Sequence, residues 1–130
     1  YDIKPKLLKK YEDIETQSTP VHEGYLTLIR QGMFEVVNGR HGTAKGARRK
    51  GVSIAGKTGT VQVVSERIEE HVDMEDVPLK KRPHGMFIGY APFDDPKYAV
   101  AVVVENGGSG SGAAAPVAAN VLQKATEVLG

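Results

Sequence analysis

Ile54-Ala-Gly-Lys-Thr-Gly-Thr-Val-Gln62 is the stretch of sequence on which the fold of this chain depends. Together with the preceding residues it matches the phosphate-loop pattern G-x-x-x-x-G-K-[ST], from Gly51 to Thr58. A phosphate loop needs a helix that begins at the lysine, so that backbone N–H groups face the phosphate. Here β-branched residues follow the lysine, in Thr58-Gly-Thr-Val-Gln-Val-Val64. Because such residues favour a strand, the sequence argues against nucleotide binding and places the lysine on a strand.

A strand with this sequence carries groups that suit acyl-transfer chemistry. Lys57 would put a positive charge near an attacking nucleophile and an incoming carboxylate. Thr58 and Thr60 would project their hydroxyls from one face, since strand side chains alternate, and hydroxyls can donate hydrogen bonds to a carboxylate. Gly59 would let a ligand approach the backbone. The N–H of Thr60 is a candidate for half of an oxyanion hole.

The composition limits the other possibilities. With 130 residues the chain fits one small domain or a piece of a larger one. A net charge of +1 gives no electrostatic reason to expect nucleic acid as a partner, and the absence of cysteine excludes disulfides and thiolate metal sites. No apolar stretch approaches the roughly 18 residues that span a bilayer. The chain opens on Tyr1 rather than Met, so we expect an internal excision whose targeting segment lies elsewhere.

The N-terminal half of the chain predicts an irregular lead-in followed by one helix. Residues 1–18 are polar and mixed, and we expect them to be extended or irregular. Thr19-Pro20 predicts an N-cap and first helical residue, so the helix should cover about 20–38. Asn38-Gly39 should end it, because both residues tolerate a left-handed conformation.

The C-terminal half predicts three strands and a second helix. We expect the lysine strand at about 51–64, a charged loop at 65–83, further strands at about 85–91 and 97–105, and a helix at about 113–129. Tyr98-Ala-Val-Ala-Val-Val-Val104 is nearly all apolar, which predicts burial on both faces. The fold class is therefore α+β, with a three-stranded antiparallel sheet and flanking helices.

Several co-linear motifs resemble those of class B penicillin-binding proteins, and in particular the elongation-specific transpeptidases. K-T-G is a signature of β-lactamases and penicillin-binding proteins, and Ile54 to Gln62 is similar to the strand that carries it. His84-Gly-Met-Phe-Ile-Gly-Tyr-Ala-Pro92 resembles the next strand of the family. Tyr98-Ala-Val-Ala-Val-Val-Val-Glu-Asn-Gly-Gly108 resembles the last strand and the turn after it. The resemblance covers nearly the whole chain and implies a partial penicillin-binding, β-lactamase-like transpeptidase domain.

The resemblance also implies an activity and a cellular setting. It implies a peptidoglycan D,D-transpeptidase that cross-links stem peptides through an acyl-serine intermediate and binds β-lactams. Lys57 would act in catalysis and Thr58, Gly59 and Thr60 in substrate binding, with no metal or organic cofactor. The parent protein would be anchored at the periplasmic face of the bacterial inner membrane by an N-terminal segment absent here, and would work with a cell-wall glycosyltransferase.

The sequence departs from the family in one respect, the nucleophile. The family motif S-x-x-K requires a lysine three residues after the serine. None of the serines meets this condition and none begins S-x-N; they are Ser18, Ser53, Ser65, Ser109 and Ser111. We therefore expect the catalytic serine outside this sequence, an inactive isolated chain that does not itself span the membrane, and possible oligomers of it through exposed apolar surface.

Three alternatives remain open at this stage. The same fold could form a non-catalytic β-lactam sensor or binding module. His71 and His84 could suggest a metal, although their spacing fits no compact ligand motif. The glycine-serine run at 107–112 could bind an anion at the following helix, but such a run is more typical of a flexible connection.

Overall fold

The computed structural model describes residues 2–3, 16–64 and 72–130. A short antiparallel pair, β1 (Asp2–Ile3) and β2 (Thr16–Gln17), precedes the main body. Most of the lead-in predicted at 1–18, and the first part of the charged loop predicted at 65–83, lie outside the described residues. From Val72 onward that loop is described and contains a short 3-10 turn, Leu79–Lys81. In the described part of the chain, no helix is both long and apolar enough to cross a membrane.

Three antiparallel strands form the main sheet, in the order β3-β4-β5. They are β3 (Ala55–Val61), β4 (His84–Ala91) and β5 (Tyr98–Val104). The α+β class with a three-stranded antiparallel sheet and flanking helices is thus confirmed. The strand predicted at 51–64 is shorter than expected at both ends. At its start, Gly51 has a positive φ of 84° and Val52 pairs only in an isolated bridge with Arg49, so the chain turns there before the strand begins.

One face of the sheet packs under the C-terminal helix, α2 (Ala115–Leu129). A π turn, Gly110–Ala114, leads into α2, so helical structure begins three residues before the predicted 113. Phe87 of β4 is the largest fully buried side chain on this face. The helix can lie close to the sheet because three of its own buried residues, and the residue just before it, are alanines, which project only a methyl group: Ala115, Ala118, Ala119 and Ala114.

The N-terminal helix, α1 (Glu23–Asn38), contacts β3. It begins three residues after the predicted position. The N-cap is His22, whose Nδ1 accepts a hydrogen bond from the Gly24 N–H at 3.0 Å, and not Thr19. Because an acceptor on the residue before the helix satisfies one of its free N–H groups, the histidine takes the role expected of threonine.

The C-terminal end of α1 lies at Asn38, as predicted, but for a different reason. Gly39 has an extended conformation with φ −70°, not a left-handed one. Glycine is required there because a Cβ would collide with the carbonyl of Glu35. The guanidinium of Arg48 donates hydrogen bonds to the carbonyls of Val37, Asn38 and Gly39, at 2.9, 3.1 and 3.0 Å, and so satisfies the end of the helix.

The prediction that β5 is buried on both faces is wrong. Its burial alternates along the strand, and Val103 is 57% exposed. Ile88 on β4 lies on the same face as Val103 and is 52% exposed. Within the described part of the chain, α2 therefore covers one face of the apolar run of β5, and the other face is exposed.

Candidate functional site

The four residues of the lysine motif lie on β3, an edge strand of the three-stranded sheet. Thr58 is paired with Phe87 and Thr60 with Gly85, whereas Lys57 is paired with Ile88. Residues directly opposite each other share a face of the sheet. The two threonines therefore project from the face that carries Phe87, as strand alternation predicts, and the lysine projects from the other face.

Lys57 is exposed at this edge, and its charge is available to a ligand. Its Nζ donates a hydrogen bond to the carbonyl of Thr58 at 2.7 Å. Thr60 is exposed and Thr58 half-buried. An ammonium group has three donors, so an anionic ligand at the edge can be bound without first breaking a buried ion pair.

Gly59 lies between the two threonines against the backbone of the π turn. A Cβ on Gly110 would lie 2.9 Å from the Gly59 nitrogen, and one on Gly85 would collide with the carbonyl of Ser109. The backbone of Ser109 and Gly110 therefore packs directly onto β3 and β4 beside Thr60. The run at 107–112 is a packed element here: the Ser109 hydroxyl accepts a hydrogen bond from the Gly112 N–H at 3.0 Å.

The glycine turn is held to the start of β4 by Asn106, which the sequence did not single out. Asn106 has a left-handed φ of 51°. Its N–H donates to His84 Nδ1 and its side-chain amide to the Arg82 carbonyl, both at 2.9 Å. A Gly108 N–H to Pro83 carbonyl bond of 3.0 Å adds to this. Asparagine beside a glycine pair is a turn signal that could have indicated this arrangement.

The metal alternative gains nothing from the geometry of the described residues. The Nδ1 of His84 already accepts a backbone hydrogen bond, which occupies one of its two possible ligand atoms. His71 lies outside the described residues. Within the parts of the chain that were searched, no group of three or more metal-binding side chains comes together.

The last titratable group of note is Tyr90, on the face of β4 opposite Phe87. Burial raises the pKa of its phenol above the ordinary value of 10.0, and the positive charge of Arg30 partly offsets this. Its hydroxyl is buried with no hydrogen-bond partner in the described part of the chain. Tyr90 is thus a packing residue with an unsatisfied hydroxyl, and it lies four positions along β4 from Met86, the partner of Gly59.

The edge strand, its lysine and its two threonines fit a known protein class. The model of the penicillin-binding protein transpeptidase domain matches residues 2–123, so the chain belongs to this family. The resemblance inferred from the motifs is thereby confirmed.

Its curated relatives include peptidoglycan D,D-transpeptidases named MrdA. The protein of Haemophilus influenzae is 37% identical over 113 residues, which cover 86% of this chain and 17% of the relative. That of Escherichia coli K12 is 36% identical over 91 residues, covering 69% of this chain and 14% of the relative. The chain therefore spans about one-sixth of the length of the curated relatives it matches.

Solved structures of penicillin-binding proteins are similar over most of this chain. Penicillin-binding protein 2 of Helicobacter pylori, solved in complex with MreC, aligns with a TM-score of 0.74 and 28% identity, over 90% of this chain and 20% of that one. Penicillin-binding protein 2 of Pseudomonas aeruginosa aligns with a TM-score of 0.63 and 34% identity, over 93% and 23%. These similarities identify a segment of a transpeptidase domain of the penicillin-binding protein 2 type.

Proposed function

We propose that this chain forms the substrate-facing wall of a serine-type D,D-transpeptidase that cross-links peptidoglycan stem peptides. The observation that carries the proposal is the exposed position of Lys57 and Thr60 on β3, whose outer edge pairs with no strand among the described residues. The names of the relatives, which are peptidoglycan D,D-transpeptidases, support the reaction class.

The two sides of β3 suggest a division of roles. The Lys57 ammonium would lie beside the attacking serine, where a positive charge favours the deprotonated nucleophile. The hydroxyls of Thr58 and Thr60 would donate hydrogen bonds to the terminal carboxylate of a stem peptide or a β-lactam. The N–H of Thr60 would stabilise the oxyanion that develops on the reacting carbonyl.

The chemistry would proceed in two acyl transfers. The serine oxygen forms a bond to the carbonyl carbon, the amide C–N bond breaks, and the leaving amine takes a proton. The amine of a second stem peptide then attacks the ester and displaces the serine. An edge strand suits this substrate class, because an extended peptide can add to its unpaired backbone groups as a further strand.

The serine in this scheme would come from the part of the longer relatives that this chain does not match. No serine in this sequence has the S-x-x-K spacing. The isolated chain should therefore form no covalent adduct with a penicillin. The parent's location at the periplasmic face of the inner membrane, its N-terminal anchor and its cooperation with a glycosyltransferase belong to the same proposal.

The test uses the full-length protein and a fluorescent penicillin. Replacing Lys57 and Thr60 together by alanine should slow acylation by about 100-fold or more, because it removes the lysine charge and the threonine hydroxyl while the backbone N–H of residue 60 stays in place. Lys97→Ala, at an exposed lysine outside the motif, is the matched control and should leave the acylation rate unchanged. Unchanged acylation in the double variant would show that the assigned roles are wrong.

A second measurement separates an enzyme from a β-lactam sensor. Full-length protein incubated with stem-peptide donor and acceptor should release the donor's terminal residue and form cross-linked product. A protein that is acylated by penicillin but forms no cross-link would be the sensor, and this result would refute the transpeptidase proposal. Stable acylation of the isolated chain would refute the placement of the serine outside it.

A further inference from the structure

Three hydrogen bonds tie the glycine turn after β5 to the start of β4 and the two residues before it. The backbone N–H of Asn106 donates to Nδ1 of His84, and its side-chain amide donates to the Arg82 carbonyl, both at 2.9 Å. The N–H of Gly108 donates to the Pro83 carbonyl at 3.0 Å. We call these three bonds the turn clasp.

The backbone conformation of the turn depends on the clasp. Asn106 and Gly108 both have a left-handed conformation, with φ of 51° and 98°. For a residue other than glycine this conformation is unfavourable, and it persists where the surrounding contacts hold it. Gly107, between them, has no room for a side chain, because a Cβ there would lie 2.6 Å from Val104 Cγ1. The bonds made by Asn106 therefore set the direction in which the chain leaves β5.

The backbone that follows the turn packs directly onto the strand of the lysine motif. A Cβ on Gly85 would collide with the carbonyl of Ser109, and one on Gly110 would collide with the carbonyl of Gly59. No side chain separates these backbones at the two contacts. A flexible side chain would absorb a small shift, whereas close-packed backbone transmits it. A displacement of the turn therefore moves Gly59, and with it Thr60.

We propose that His84 and Asn106 are positioning residues for acyl transfer, which act through the glycine turn on Thr60. The inference rests on the proposed function, in which the N–H of Thr60 stabilises the oxyanion and its hydroxyl binds a carboxylate. Such donors are effective only when they are held at the position of the developing charge. A misplacement of about 1 Å costs roughly 100-fold in rate. In this scheme neither positioning residue touches the reacting atoms.

The chemistry of the clasp provides a matched pair of variants at His84. A backbone N–H only donates, so Nδ1 of His84 is the acceptor and the ring proton lies on Nε2. His84→Phe keeps a ring of similar size but offers no acceptor to the N–H of Asn106. His84→Asn provides an amide oxygen near the position of Nδ1, so the acceptor is retained without the ring.

The test is acylation of the full-length protein by a fluorescent penicillin over a range of concentrations. This separates the acylation rate constant from the affinity and from the fraction of protein that is acylated. His84→Phe should lower the rate constant about tenfold or more, and His84→Asn should restore most of it. His41→Phe, at an exposed histidine in the loop after α1, is the matched control and should leave the rate constant unchanged.

A purely structural role of His84 predicts a different result. Fewer molecules would then be folded, so the acylated fraction would decrease while the folded molecules reacted with the wild-type rate constant. An unchanged rate constant in His84→Phe would overturn the proposal, whatever the acylated fraction. A His84→Asn variant as slow as His84→Phe would also overturn it, because the acceptor would then not be the group that matters.

Asn106→Gly tests the other residue of the clasp. Glycine adopts a φ of 51° without strain and keeps the N–H bond to His84, so only the bond from the amide to the Arg82 carbonyl is lost. The rate constant should decrease about threefold or more. Because both residues act through one turn, the loss in the double variant with His84→Phe should be smaller than the product of the two single losses. Losses that simply multiply would refute action through a shared turn.

Hydrogen exchange in the same full-length proteins separates a failure of this proposal from a failure of the proposed function. His84→Phe should increase amide exchange over residues 57–61 about tenfold, and His41→Phe should not. Unchanged exchange there would show that the clasp does not reach β3, and would overturn the proposal. Faster exchange in a protein whose wild type penicillin does not acylate would refute the proposed function, while the link from the clasp to β3 would stand. Acylation of His84→Phe with the wild-type rate constant refutes the positioning role alone.

Discussion

Gly56→Ala tests the packing that positions the lysine motif. A Cβ at Gly56 would lie 2.6 Å from the Ile88 carbonyl oxygen and 2.7 Å from Phe87 Cε1. Neither contact can relax easily, because the first is to backbone and the second to a fully buried ring. Overpacking of this kind costs about 3 kcal/mol, a large part of the roughly 5–15 kcal/mol by which a domain is stable. The melting temperature should decrease by roughly 10 °C for a chain of this size.

Calorimetry and urea denaturation measure this loss, and Gly59→Ala is the matched control. A Cβ at Gly59 would meet only Met86 Cβ, at an ordinary 3.4 Å, so stability should change by no more than about 0.5 kcal/mol. Phe87→Leu should restore at least about 1 kcal/mol to Gly56→Ala in a double-mutant cycle, since it removes ring atoms from the collision. A Gly56→Ala variant as stable as Gly59→Ala would refute the explanation.

Two further predictions concern residues outside the motif. Tyr90→Phe removes a buried hydroxyl without a described partner and should stabilise the chain by about 1 kcal/mol in urea denaturation at neutral pH. Burial raises the pKa of Tyr90 in the folded state, so the folded state favours the un-ionised phenol. The stability that depends on this un-ionised phenol is fully present below pH 10.0 and is lost as the pH rises through the folded pKa. The alkaline loss of stability should therefore be smaller in Tyr90→Phe, and an identical alkaline profile would contradict this. Arg48→Met should cost about 2 kcal/mol, because it leaves the carbonyls at the end of α1 without their donor, whereas Arg40→Met in the same loop should cost little. Equal losses for the two arginine variants would refute the capping role.

The sheet was predictable because its signals are local. β-branched residues predict β3 and β5, Phe87, Ile88 and Tyr90 predict β4, and Pro92-Phe-Asp-Asp-Pro96 predicts the turn of the hairpin. The strand conformation of the lysine motif was also predictable from the sequence, because the β-branched residues after Lys57 argue against a helix. Alternation along β3 then placed Thr58 and Thr60 on one face.

The failed predictions have separate causes. Thr19-Pro20 satisfies the pattern of a helix start, but the side chain of His22 accepts the hydrogen bond from the Gly24 N–H, so the helix begins at Glu23. Burial of β5 depends on what covers each face, which an apolar run cannot specify. The need for glycine at Gly56 and Gly110 comes from close packing and not from positive φ, and such packing cannot be predicted from the sequence.

In the part of the chain that the structure describes, the outer edge of β3 pairs with no strand, and this has a consequence for how the chain behaves at high concentration. Unpaired strand edges promote aggregation, because a second sheet can add to them, and natural proteins oppose this by placing lysine at the edge. Lys57 holds that position on β3. The motif therefore has to leave the edge open to an extended peptide while repelling another copy of itself. A single charged side chain serves both demands, so replacing Lys57 should reduce solubility independently of any effect on acylation.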